Sequence, residues 1–194
     1  MSNTVPLFPL NTVLFPGGPL PLRVFEPRYL DMVSTCLKDE CGIGVIMIKK
    51  GNEVGPAPET HEIGTLTYIS YWHKRDDGML GVTLRGEQRF RMLEHTTQAN
   101  QLVIAEIELI DNFSSHTLTE AYQPMVELLK QILSQLEPPY TSMATHFNDA
   151  EWVSARLIEL LPLQLMDKYE LLKLDDVQER LERLDKYLQQ RESW

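Results

Sequence analysis

Residues 6–29 read PLFPLNTVLFPGGPLPLRVFEPRY, and the fold turns on how this stretch is understood. Its apolar residues suit a β-strand, yet it holds six of the chain's twelve prolines. Proline donates no hydrogen bond to a ladder and is confined mostly to edges, strand starts and turns. The stretch therefore predicts two strands, 6–15 and 18–25, broken at Phe15-Pro16-Gly17-Gly18. That tetrapeptide fits a type II turn: proline presets φ at the second position and glycine accepts positive φ at the third. Pro6, Pro9, Pro19 and Pro21 are expected at strand ends, bulges or unpaired edge positions, so that the pair closes a barrel without offering a clean edge. Pro27 suits the first position of a helix, where its missing N–H costs nothing. Phe25 and Leu30 are placed to staple that helix's start, and Leu30, Val33 and Leu37 fall on one face.

Working outward, residues 42–49 (GIGVIMIK) are apolar on both faces, as in a buried strand. Residues 64–72 and 78–86 are two more strands joined through Asp77-Gly78, a strong hairpin signal. Residues 88–93 continue the sheet after a bend at Gly86, and 101–110 alternate cleanly. Six strands and one small helix suggest a compact, partly closed barrel. Near Asn112 the alternation stops. Helices are expected over 118–136, with a Thr117–Glu120 capping box, and over 148–161, with Asn148 as N-cap. Two more are expected over 164–173 and over 175–192, the last capped by Asp175 and Gln178. In the last, Leu174, Val177, Leu181, Leu184 and Leu188 make a narrow apolar stripe. The reading is α+β: a β-rich unit, 1–112, and a helical unit, 113–194, expected to pack on each other.

Composition narrows the function classes. A formal net charge of −10 suits neither DNA nor anionic membranes. No run approaches the ~20 apolar residues of a membrane span. The N-terminus has neither a basic region nor a long apolar one, so no secretory leader is expected. Cys36 and Cys41 are spaced unlike a zinc or redox motif and are expected as free thiols in a reducing cytoplasm. No Walker A loop, Rossmann fingerprint, G-x-S-x-G elbow or HExxH is present. His61, His73, His95, His116 and His146 are scattered. No catalytic residue, metal ligand or cofactor site is therefore assigned. Two surface features remain. Tyr68, Tyr71 and Trp72 cluster on one hairpin; an unbroken strand puts Tyr68 and Trp72 on one face and Tyr71 on the other. Either one set fills the core and the other meets a partner, or helices cover both. Arg85, Arg89 and Arg91 would share one face of the following strand, as a patch for nucleic acid or acidic peptide, or as solvated arginines paired with acids.

The opening stretch, with its R-V-F-E-P-R-Y ending, resembles the start of the Lon protease N-terminal, or substrate-binding, domain family. EIGTLTYI, GVTLRGEQRFRML, LVIAEIELI and LPLQLMDKYELLKLDDVQERLERL are similar to later family segments, in order, over nearly the whole chain. The resemblance implies a PUA-like six-stranded pseudo-barrel followed by about four helices. It implies recognition of polypeptides and no catalysis, since the family's ATPase and protease modules are not seen in this sequence. Pro16, Gly17, Arg23, Phe25, Glu26, Pro27, Arg28 and Tyr29 match its motif and are expected to be architectural. The leading expectation is a cytoplasmic protein- or peptide-binding module, an adaptor or sensor in protein quality control, with Tyr68, Tyr71, Trp72, Arg85, Arg89 and Arg91 as the partner surface. Two readings compete with it: a small-molecule binder or enzyme using a groove between barrel and helices, and an RNA-binding barrel.

Overall fold

A computed structural model describes residues 3–112 and 116–191. The chain divides into two compact units, Met1–Asn112 and Phe113–Trp194. Residues 113–115 of the expected connector, and Glu192 of the last expected helix, lie outside the described residues.

The first unit carries strands β1 (Asn3–Leu10), β2 (Pro19–Val24), β3 (Ile43–Lys50), β4 (Glu59–Lys74), β5 (Leu80–Thr97) and β6 (Val103–Ile110), with helix α1 (Pro27–Asp39) after β2. The sheet order is β2-β5-β4-β3-β1-β6, and a further β5–β6 pairing closes five strands into a circuit. The long β5 makes this possible. Its first half pairs with β2, its second half with β6, and β4 runs beside both. β2 therefore stands outside the circuit with β5 as its one neighbour in the sheet order.

β1 changes partner partway along its length. β1 pairs with β6 over residues 3–6 and in parallel with β3 over residues 7–10. Pro6 is the last rung shared with β6, and Pro9 lies beyond it. The first strand was expected to reach residue 15, but it ends at Leu10. Residues 11–18 instead form an apolar loop whose Phe15 is wholly buried. The turn forms as expected: Gly17 has φ of 77° and the Gly18 N–H donates to the Phe15 carbonyl at 3.1 Å. It docks on β5 at Gly86, where Gly17 N–H meets Gly86 O at 2.8 Å and Gly86 N–H meets Gly18 O at 2.9 Å.

Two apolar clusters lie on opposite faces of the sheet, since the neighbours Leu7 and Phe8 belong to different ones. One packs α1, through Tyr29, Met32, Val33 and Cys36, against Phe8, Val24, Val82 and Leu84. The other gathers Leu7, Ile46, Leu66, Phe90, Ala105 and Ile107 from the five strands of the circuit.

Cys36 and Cys41 form a disulfide, with Cα atoms 4.6 Å apart, so the expectation of free thiols is corrected. α1 ends between them. Glu40 takes the left-handed conformation (φ 52°), and the Cys41 N–H returns to the Cys36 carbonyl at 3.2 Å. That reversal brings the two sulfurs together, and no sequence spacing announces it.

The second unit holds α2 (Gln123–Ser134), α3 (Ala150–Leu160), α4 (Leu165–Lys173) and α5 (Val177–Arg191). α2 starts five residues later than expected. Pro124 has no N–H and fits only a first turn, so residues 120–122 form a separate 3-10 turn, and Thr117 bridges to Asp149 in place of a capping box. Two caps shift by one residue. Asp149, not Asn148, accepts the Trp152 N–H at 3.0 Å, and Asp176, not Asp175, accepts the Gln178 N–H at 2.7 Å. Leu129, Val153, Leu157, Ile158 and Leu184 are fully buried. Arg156 lies among them and is held by Glu159 through two bonds, of 2.7 and 2.9 Å.

Candidate functional site

Of the motif residues, Glu26, Pro27, Arg28 and Tyr29 fix the start of α1. Pro27 occupies its first turn. The buried Arg28 pairs with Glu26 at 3.0 Å, donates to the Gln101 carbonyl at 3.1 Å, and lies 4.6 Å from the centre of the Tyr29 ring. Tyr29 stacks on Phe8 with centroids 4.3 Å apart. Burial raises the Tyr29 phenol above its usual range, against the downward pull of Arg28. Arg28 thus ties α1 to the β5–β6 turn, and the Glu26 carboxylate offsets its buried charge, while its Nε stays without a hydrogen-bond partner among the described residues. Phe25 leaves about half its surface (53%) exposed.

The aromatic hairpin is rearranged by a bulge. Residues directly opposite on paired strands point to one face. Tyr68 faces Arg85 and Ile69 faces Leu84, but then Tyr71, not Ser70, faces Thr83, and Trp72 faces Val82. Ser70 is the inserted residue, and its hydroxyl donates to the Thr83 carbonyl at 3.0 Å. The insertion flips the alternation. Tyr68 and Tyr71 therefore share a face, while Trp72 points to the face of Val82 and α1. This reverses the pairing expected from an unbroken strand.

A second bulge divides the arginines. Thr67 faces Gly86 while Leu66 faces Gln88, leaving Glu87 as the inserted residue. Arg85 then lies on the Tyr68 face, whereas Arg89 and Arg91 lie on the opposite one. Arg89 is buried, and donates to the Asp111 carbonyl at 3.5 Å. The expected three-arginine patch does not form, and a nucleic-acid reading built on it loses its surface.

What the bulges assemble instead is a face across three strands, exposed at Tyr68, Tyr71, His73, Arg85, Pro21 and Arg23 and buried at Pro19 and Gly81. β4 contributes Tyr68, Tyr71 and His73; β5 contributes Gly81, Thr83 and Arg85; β2 contributes Pro19, Pro21 and Arg23. Tyr68 is 45% and Tyr71 60% exposed, and Tyr71 stacks on His73 with centroids 5.4 Å apart. Pro21, Arg23, His73 and Arg85 are exposed too. No carboxylate sits at any of these nine positions, although the chain has 28 acidic residues. At the neighbouring hairpin tip, Asp77 is held below the usual carboxylate range, first by the Met79 N–H and then by Arg75. Among the described residues no three His, Cys, Asp or Glu side chains gather where they could hold a metal ion, and no helix is long and apolar enough to cross a membrane.

The family described as the ATP-dependent protease La (LON) substrate-binding domain matches residues 4–190. The chain belongs to that family. A Lon N-terminal domain protein from Xanthomonas campestris has a crystal structure similar to this one. Its TM-score is 0.75 and its sequence identity 34%, over 93% of this chain and 96% of that one. The N-terminal domain of a Mycobacterium avium complex Lon protease shares the fold, with a TM-score of 0.59 at 16% identity. Lon protease of Buchnera aphidicola is 25% identical over 92% of this chain, and that of Anaeromyxobacter dehalogenans 27% identical over 81%. The chain spans only about a quarter (24%) of the Buchnera protein, and the match lies in the N-terminal part. The matched region is the substrate-binding domain, not the ATPase or protease domains.

Proposed function

We propose that this Lon substrate-binding domain protein is a non-catalytic polypeptide-recognition module, whose face around Tyr68 and Tyr71 captures apolar segments of non-native or targeted chains as an adaptor or sensor in protein quality control. The observation that carries the reading is the pair of exposed tyrosines held side by side by the Ser70 bulge on a face without carboxylates. Large aromatic side chains gain most from desolvation at an interface and lose little rotamer freedom there. Family membership supports the class of partner.

The test is a fluorescence anisotropy titration of a permanently unfolded model protein with the whole chain. Replacing both Tyr68 and Tyr71 by Ala should weaken binding at least tenfold, as hot-spot aromatics cost about 1–2 kcal/mol or more each. Circular dichroism should be unchanged. Equal binding by the double variant, or binding by the wild type no better than by an unrelated acidic protein, would overturn the reading.

A further inference from the structure

We propose that this face selects extended segments in which aromatic or apolar residues are interspersed with carboxylates, and that it holds them by side-chain contacts across the sheet and not by strand addition. The inference rests on the polypeptide-binding reading and specifies its substrate class. Arg85 and Arg23 are exposed, and neither forms an ion pair among the described residues; Arg23 only feels the Asp77 charge from a distance. They flank the aromatic row. Arg85 sits in the row of Tyr68 and Pro19. The next row on that face is Tyr71, Thr83 and Pro21, and the third is His73, Gly81 and Arg23. Four residues of strand separate the first and third rows, about 13 Å at ~3.3 Å per residue. A guest lying along the strands meets cation, aromatic and proline surface, and cation again, within about four of its own extended residues. Carboxylates at that spacing with an apolar residue between them complement it.

The edge of β2 argues against a ladder. Gly86 donates to Gly18, so along β5 the N–H groups of Gly86, Leu84, Val82 and Leu80 turn toward β2. Their partners Leu20, Leu22 and Val24 use their backbone groups on β5. Pro19, Pro21 and Arg23 turn theirs to the other side, where the two prolines have no N–H to give. A guest strand would find no N–H at Pro19 or Pro21, two of the three outward-facing positions.

Three fluorescein-labelled peptides of one apolar and aromatic core, interspersed with Asp, Ser or Lys, test the selection against the whole protein. The net charge of −10 on its own favours the Lys peptide by long-range attraction, so the two accounts predict opposite orders. The expected result is that the Asp peptide binds roughly fivefold or more tighter than the Lys peptide at low salt, and that added salt shrinks the difference. Arg23→Glu with Arg85→Glu should reverse the order, while Tyr71→Ala should weaken all three alike. Circular dichroism and melting checks that both variants are folded. Binding of the Ser peptide with no preference for Asp over Lys, or a preference that survives both charge reversals, overturns the selection but leaves polypeptide recognition standing. Failure of all three peptides to bind overturns both.

Discussion

Adding one methyl group at Gly86 should destabilise the β-rich unit by several degrees. A Cβ there would run into the carbonyl oxygen of Phe15, with the Phe15 carbonyl carbon 3.2 Å and the Thr65 methyl 3.3 Å away. The first obstacle is backbone, so no rotamer change relieves it. The turn at residues 15–18 must lift, and lifting it stretches the Gly17–Gly86 and Gly86–Gly18 hydrogen bonds, 2.8 and 2.9 Å long. Overpacking of this kind costs about 1–3 kcal/mol, and each weakened backbone bond about 0.5–1.5 kcal/mol. Replacing glycine by alanine in a strand returns roughly 0.5–1 kcal/mol. The net loss for Gly86→Ala is about 2–4 kcal/mol, or ~5–15 °C in Tm at about 2–4 °C per kcal/mol for a chain of this size. Thermal and urea melts followed by circular dichroism measure it. A variant that melts within about 1 °C of the wild type would show that the turn does not bear on β5 as described.

Two further outcomes follow from buried groups. Tyr29 holds its proton above the ordinary phenol pKa, which is about 10. Above that pH the unfolded chain ionises while the folded one does not, so stability falls as pH rises toward the raised value. Tyr29→Phe should lose less stability than the wild type between about pH 9 and 11 in urea melts; parallel curves would count against a buried neutral phenol. Reduction of Cys36–Cys41, five residues apart, should lower stability by about 2 kcal/mol from the regained freedom of a short loop. A calorimetric Tm unchanged after thiol titration confirms two free sulfhydryls would remove that contribution.

Much of the architecture was legible in the sequence because it is written in periodicity. The six strands, the short helix opening at Pro27 and the stripe Val177–Leu181–Leu184 are all patterns of spacing. The type II turn was legible because Pro16 and Gly17 each fit one backbone position. The faces of the site were not. A bulge adds one residue to one strand, and nothing in YISYWHK marks Ser70 as the extra one; that choice is made by the register against Thr83. Gly86 hinted at irregularity beside Glu87, but the consequence, Arg85 parting from Arg89 and Arg91, is visible only from pairing. The misplaced caps have a similar origin. Asn148 and Asp149, like Asp175 and Asp176, are neighbours of equal chemistry, and the path of the chain decides which oxygen reaches the helix. The buried arginines Arg89, Arg156 and Arg180 gave no signal, because in sequence they are indistinguishable from solvated ones.

The central claim is that the Tyr68–Tyr71 face receives the polypeptide. The most direct measurement is site-specific photo-crosslinking, with a photoreactive phenylalanine at position 71 or at position 91, which is exposed on the opposite face, in the presence of an unfolded model protein. The account predicts crosslinks from position 71 that an excess of unlabelled unfolded protein abolishes, and little or none from position 91. Crosslinking from position 91 equal to or stronger than that from position 71 would contradict it.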